Sequence, residues 1–148
     1  MAAGDITWFN AAKAFDYFVG WAGTDSVKVA LVTTTTTPAA TTATPSLGDF
    51  TQVTAGGNYT AGGDVLDTWA NMWNDPTAGG TATFDDTGAS VTWAQNASNP
   101  SDARWAIIYN DTQAGDPAIA FVDLGAVIDM TAGDLTITWN ASGIATVS

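Results

Sequence analysis

Apolar positions along the chain change their spacing once. From Trp8 to Val19 they recur three and four residues apart, at Trp8, Ala11, Ala12, Phe15, Phe18 and Val19. That spacing predicts one short N-terminal helix over about 8–19, capped by Asp5 or Thr7 and stopped by Gly20 and Gly23. A helix this short is unstable alone, so its stripe has to lie on the body of its own subunit or on a neighbour. Beyond residue 26 the pattern becomes that of strands, in segments 27–33, 50–53, 64–69, 81–84, 90–94, 104–109, 118–124, 134–140 and 144–147, separated by Asp, Asn, Gly and Pro.

Alternation is cleanest at Leu135-Thr-Ile-Thr-Trp139, where Leu135, Ile137 and Trp139 share one face and Thr136 and Thr138 the other. Trp105–Tyr109 and Ile119–Leu124 are apolar on both faces, as in central strands covered on their second side as well. Asn140-Ala-Ser-Gly143 reads as a tight turn that returns 144–147 antiparallel to the preceding strand. Residues 34–46, all Thr, Pro, Ala and Ser, offer no charge and no large apolar group, which predicts a flexible surface loop. Many short strands without alternating helices predict an all-β fold: a two-sheet antiparallel sandwich, jelly-roll-like, forming a single domain over 1–148, with an open barrel as the rival.

Composition narrows the chemistry. With neither cysteine nor histidine, thiol mechanisms, zinc ribbons, iron–sulfur centres and the usual general base are excluded. Fifteen acids, every one an aspartate, face only Lys13, Lys28 and Arg104, for a net charge of -12. Such a chain is repelled by phosphate backbones and anionic membranes, so neither nucleic acid nor membrane is expected as a partner. No segment has the form of a secretory signal or a membrane span, which predicts synthesis in a cytoplasm.

The aspartates are the only acid–base material. Asp85 with Asp86, or Asp64 with Asp67, could supply a carboxylate pair. Neighbouring strand positions point to opposite faces, however, and Asp-rich turns need no catalytic explanation, so no enzyme is expected. Calcium is a weak possibility at Asp85–Asp86, Asp111 with Asp116, or Asp129 with Asp134, without the closing glutamate of the helix–loop–helix site. No other cofactor is expected. The glycine pairs at 56–57 and 62–63 lack the lysine of a phosphate loop and read as turns. Among seven tryptophans, Trp93, Trp105 and Trp139 sit in predicted strands and suit a core, while Trp69 and Trp73 suit a sugar-stacking or protein-contact surface. Arg104, the sole arginine, opens a core strand and is a candidate for a structural ion pair.

Taken in order, the N-terminal helix, Asp25-Ser-Val-Lys-Val-Ala-Leu-Val32, Gly48-Asp-Phe50, Tyr59-Thr-Ala-Gly-Gly63, Phe84-Asp85, Val91-Thr-Trp93, Ala103-Arg-Trp-Ala-Ile-Ile-Tyr-Asn-Asp-Thr112, Ala120-Phe-Val-Asp-Leu-Gly125 and Leu135-Thr-Ile-Thr-Trp139 resemble a family of small structural proteins of tailed bacteriophages. Some of its members are capsid decoration, or cement, proteins. The most specific element is 103–112 followed by 121–125. The resemblance implies a jelly-roll-like body without catalytic residues. It would sit on the outer surface of the virion capsid, commonly as a homotrimer at local three-fold positions, with the major capsid protein as partner. Trp8, Phe9, Phe15, Trp69 and Trp73 are the candidate subunit or lattice contacts. The alternatives are a carbohydrate-binding or host-adhesion module on the virion, and a neck or tail structural protein.

Overall fold

Side chains that are apolar on both faces of a strand need cover on two sides, and the fold is organised around that need. In the computed structural model the runs 105–109 and 119–122 lie side by side near the middle of the largest sheet. The structure describes residues 4–13, 20–74, 82–84, 90–139 and 145–147. Its strands are β1 (Ile6–Trp8), β2 (Ser26–Val32), β3 (Asp64–Thr68), β4 (Trp73–Asn74), β5 (Ala82–Phe84), β6 (Val91–Trp93), β7 (Ala103–Asn110), β8 (Ala118–Ile128), β9 (Leu135–Ile137) and β10 (Ala145–Val147). One layer is a five-stranded sheet in the order β1-β8-β7-β2-β3; the other is made of a three-stranded piece, β10-β5-β4, and the pair β6-β9. Every pairing is antiparallel, and the protein is an all-β sandwich.

Register shows how each face is covered. Val29 pairs with Ile108, and Ala106 pairs with both Leu31 and Val122, which is opposite Ile6, so these residues share one face. That face meets the smaller layer, where Trp8 stands edge-on to Phe84 at 5.1 Å between ring centroids. Ala30, Ile107 and Phe121 share the opposite face, which is covered by loops rather than by a sheet. Phe9 lies 5.2 Å from Phe121 and 6.0 Å from Phe50, and Leu47, Phe50 and Val53 are buried beside them.

Segment 34–46 takes part in this cover, where the sequence predicts a loop that packs nothing. It holds no strand, yet Pro38 and Pro45 are buried. The Pro45 carbonyl accepts the N–H of Ala118 at 2.9 Å, and that of Ala40 accepts the N–H of Asn10 at 2.7 Å. A proline ring is apolar and carries no N–H to satisfy, so it can be buried in irregular backbone at little cost.

Three other expectations change. Trp8 ends a strand paired with Ala120, and Ala11–Lys13 is a 3-10 turn; the remainder of the expected helix, 14–19 with Phe15, lies outside the described residues. Ile6-Thr7-Trp8 alternates and is β-branched at two positions, and the open edge of β8 offers it a ladder. The expected return of 144–147 onto the preceding strand is not made, since β9 pairs with β6 and β10 with β5; the turn expected at 140–143 lies outside the described residues. The chain therefore changes sheets between β9 and β10. Segment 50–53 forms a single bridge, Gln52 to Val32, instead of a strand.

Candidate functional site

The most elaborate local geometry lies where β7 and β8 lose register. Ala103 pairs with Ile128 but Trp105 pairs with Asp123, so Arg104 alone stands opposite residues 124–127, which bulge outward. Gly125 makes the turn possible with φ +82°, a conformation that costs a side-chain-bearing residue. Its N–H donates to Asp123 Oδ1 at 2.7 Å, and Arg104 Nη1 donates to the same oxygen. The guanidinium carbon lies 4.0 Å above the Trp105 ring. The Arg104 donor holds the buried Asp123 carboxyl below the usual carboxylate range; burial opposes this and the Gly125 N–H adds to it. Leu124–Ile128 is therefore an uncharged protrusion on a pinned base, with Val127 52% exposed.

Next to the bulge the two layers part. A cavity of about 570 Å³ opens between Ile6, Val122, Leu124 and Ile128 on the large sheet and Leu135, Ile137 and Trp139 on and after β9, with Asp123, Thr136 and Thr138 adding polar groups to its lining. Its size suits a small ligand or a short stretch of chain. Its large-sheet wall comes from the end strand β1 and, mostly, from its neighbour β8.

The aromatic candidates fall mostly elsewhere. Trp8 is 9% exposed and Phe9 fully buried; both rings are used in the intramolecular core, which removes them as surface contacts. Trp93 and Trp105 are also core. Trp69 is half-buried, edge-on to Trp21 at 4.7 Å and 6.2 Å from Phe84. Trp73 pairs with Phe84 in the β4–β5 ladder; its side chain lies outside the described residues, as does Phe15. Among the described residues Trp139 is the one tryptophan in the cavity wall, so no row of rings forms there.

The aspartate candidates act locally. Asp67 Oδ1 accepts the N–H of Thr68 at 2.6 Å and Asn71 Nδ2 at 2.9 Å, closing a turn. Asp64 is half-buried on β3, and burial raises its pKa. Asp111 pairs with Lys28 at 2.7 Å, Asp129 accepts from Thr131, and Asp134 accepts the N–H of Gln95 at 2.7 Å. Asp116 takes φ 48° in the turn before Pro117. Asp85 and Asp86 lie outside the described residues. Among the described residues no three acids gather as a metal site would require.

Sequence reasoning passed over the buried polar centre at Asp25. Asp25 Oδ2 accepts from Asn110 Nδ2 at 3.0 Å, Gln113 Nε2 at 2.6 Å and the N–H of Ala22 at 3.2 Å, tying the start of β2 to the β7–β8 turn. Only the polar run Asn110-Asp-Thr-Gln113 hinted at it, and such runs are ordinary in turns. Comparison with protein-family models, curated proteins and solved structures finds no match to this chain.

Proposed function

We propose that the protein is a structural component of a virion, a decoration or cement protein bound to the outer surface of a tailed-phage head. The observation that carries this reading is where the most phage-like segments lie. Residues 103–112 and 121–125 meet as antiparallel partners in the large sheet, joined by the Arg104–Asp123 pair. The sandwich is jelly-roll-like on this reading; the nested pairing of β1 with β8 and of β2 with β7 supports it. The chain works by surface fit and not by catalysis, with the major capsid protein as partner and a homotrimer as the bound form. Since Trp8 and Phe9 are core, contacts fall to what remains outside: the bulge with Val127, and β3, where Val65 is 57% exposed. The charge of -12 keeps free subunits apart, so attachment strengthens when salt screens it and when several copies act together.

The test is to mix the purified protein with unexpanded and expanded empty heads of the phage that encodes it and to count bound copies. Saturation on expanded heads at a multiple set by the three-fold positions supports a cement protein. A dozen or fewer copies reassigns it to a vertex, neck or tail, and no binding ends the reading. The Trp139 wall of the cavity favours one second reading, a glycan-binding module; saturable binding of the isolated protein on a glycan array, lost in Trp139→Ala, would establish that instead.

A further inference from the structure

The connection from β7 to β8 departs from ordinary backbone at Asp116. Glycines apart, it alone among the described residues has a positive φ, 48°. It also precedes Pro117, whose ring drives the residue before it towards extended backbone. Both departures cost energy, so the surroundings must hold Asp116 where it is. The Asp116 N–H donates to the Gln113 carbonyl at 3.1 Å, the Pro117 carbonyl accepts the Asn110 N–H at 3.0 Å, and Ser46 forms a bridge to Pro117 from the other side.

The Asp116 carbonyl oxygen accepts the N–H of Leu47 at 2.9 Å. That donor is fixed, because Asp49 Oδ2 accepts the N–H of Ser46 at 2.8 Å and its hydroxyl at 3.2 Å, closing the 3-10 turn Leu47–Asp49. Among the described residues no hydrogen bond engages the Asp116 carboxylate. Asp116 and Pro117 are both half-buried, so water reaches them. A strained peptide unit thus has a donor on its carbonyl oxygen and an uncommitted carboxylate on its own side chain.

We infer that Asp116–Pro117 is a self-cleavage site, at which the Asp116 carboxylate cuts the peptide bond that follows it. A carboxylate oxygen adds to the Asp116 carbonyl carbon and closes a ring, while the Leu47 N–H receives the charge that develops on the carbonyl oxygen. The C–N bond to Pro117 then breaks, and the prolyl nitrogen leaves as a secondary amine with a proton taken from water. A second step adds water to the cyclic anhydride and leaves Asp116 with two free carboxyl groups. One water is consumed per cut, and the strain at Asp116 is released with the proline.

The cut does not dismantle the fold. β8 pairs with β1 and β7, β9 with β6 and β10 with β5, so every strand after Pro117 is paired to a strand before it. Cleavage yields a sandwich in two pieces, whose refolding requires two chains to meet. Self-cleavage needs only this chain and water, so it stands apart from the virion reading.

The test keeps the whole chain folded at about pH 5 in about 0.5 M salt, where Asp25 and Asp123 are still ionised, and a second sample in denaturant at the same pH. Mass spectrometry follows both with protease inhibitors present. The expected products are 1–116 and 117–148, formed from the folded protein at least about tenfold faster than from the denatured chain. Asp75–Pro76, the other Asp–Pro bond in the sequence, gives the intrinsic rate in denaturant. Asp116→Asn keeps a residue that tolerates positive φ and removes the carboxylate, so the cut should slow at least about tenfold. Pro117→Ala keeps the carboxylate and lifts the restriction on Asp116; it should slow the cut as well, and it decides the matter where Asp116→Asn fails to fold. A folded protein that stays whole, a rate no greater than in denaturant, or an unchanged cut in Pro117→Ala overturns the inference. A cut that persists in Asp116→Asn also overturns it, by assigning the cleavage to a protease.

Discussion

The hydroxyl of Tyr59 accepts the backbone N–H of Leu31 at 2.9 Å, on the flank of β2 that β3 is too short to reach. β3 pairs with β2 only from Ser26 to Val29, and beyond it the edge is finished by single groups. The N–H of Val53 donates to the Leu31 carbonyl at 3.1 Å, and that of Thr33 to the Thr51 carbonyl at 2.9 Å. A side chain thus does the work of a missing strand. Burial pushes the Tyr59 hydroxyl up to about 12, with the Asp64 charge adding and the Leu31 bond opposing, so it stays protonated at any working pH.

Tyr59→Phe keeps the ring, which packs 5.8 Å from Trp93, and removes only the hydroxyl, which also donates to the Leu31 carbonyl at 3.5 Å. The Leu31 N–H is then buried without a partner, at a cost of about 1–3 kcal/mol. Denaturant unfolding should show a lowered midpoint with an unchanged slope. A midpoint equal to that of the unsubstituted chain would mean that water reaches the site.

Gly63 rests directly on β2. With φ +72°, a Cβ added there would lie 1.8 Å from the Val29 carbonyl oxygen, which is backbone and cannot yield. Gly115 has φ +86° but open space around it. Gly63→Ala should therefore cost more than the ~1–2 kcal/mol of left-handed strain expected for Gly115→Ala, with about 1–3 kcal/mol of overpacking added. Thermal melts of the two variants check the ordering; equal losses would show that β2 and the glycine loop can separate freely.

Much of this architecture was legible because period and burial agree. Segments 27–33, 64–69, 104–109 and 118–124 became β2, β3, β7 and β8 with small shifts, and the two-sided apolar runs are covered on both faces. The N-terminal stripe misled because Trp8 and Ala12 are buried at helical spacing by a strand end followed by a tight turn, a pattern that spacing alone cannot tell from a helix. Trp8 and Phe9 looked like contact residues because nothing local shows that Phe84, Phe50 and Phe121 come to meet them. The cavity was illegible for the same reason: its walls come from residues 4–6, 122–128 and 135–139, which only sheet order brings together.

Asp25 gives the fold an acid limb. Burial alone would raise its pKa, but the donors Asn110, Gln113 and the Ala22 N–H more than offset this and hold it below the ordinary value. Its contribution is therefore complete above the unfolded-chain value of ~3.9 and is lost as pH falls through the lower folded value. Asp123 acts in the same direction, while Asp64, raised by burial, weakens the fold when ionised and is relieved by protonation. Melting temperature in about 0.5 M salt, where self-repulsion is screened, should stay level from neutral pH to about pH 5 and fall below about pH 4. Asp25→Asn should melt lower at neutral pH and show a shallower acid limb; a limb of unchanged slope would assign acid sensitivity to other groups.

The Arg104–Asp123 pair makes the sharpest prediction, because removing one partner reverses a sign. Asp123 is buried, so Arg104→Met leaves its carboxylate with the Gly125 N–H and the charge of the N-terminus to hold it, at a cost of about 3–5 kcal/mol at neutral pH. The prediction is that without the guanidinium burial outweighs the Gly125 N–H and lifts the Asp123 pKa above its unfolded value. Protonation then relieves the penalty, so the variant gains stability as pH falls through that raised value, a gain that Asp123 does not make in the unsubstituted chain. The double variant Arg104→Met, Asp123→Leu removes the buried charge and should recover most of the loss, yet the Gly125 N–H no longer has its acceptor. Hydrogen exchange at Gly125 should therefore stay fast in the double variant while the melting temperature returns, separating the charge effect from the hold on the bulge. Recovery of both together would mean that the bulge is held by its neighbours and that Asp123 serves Arg104 alone.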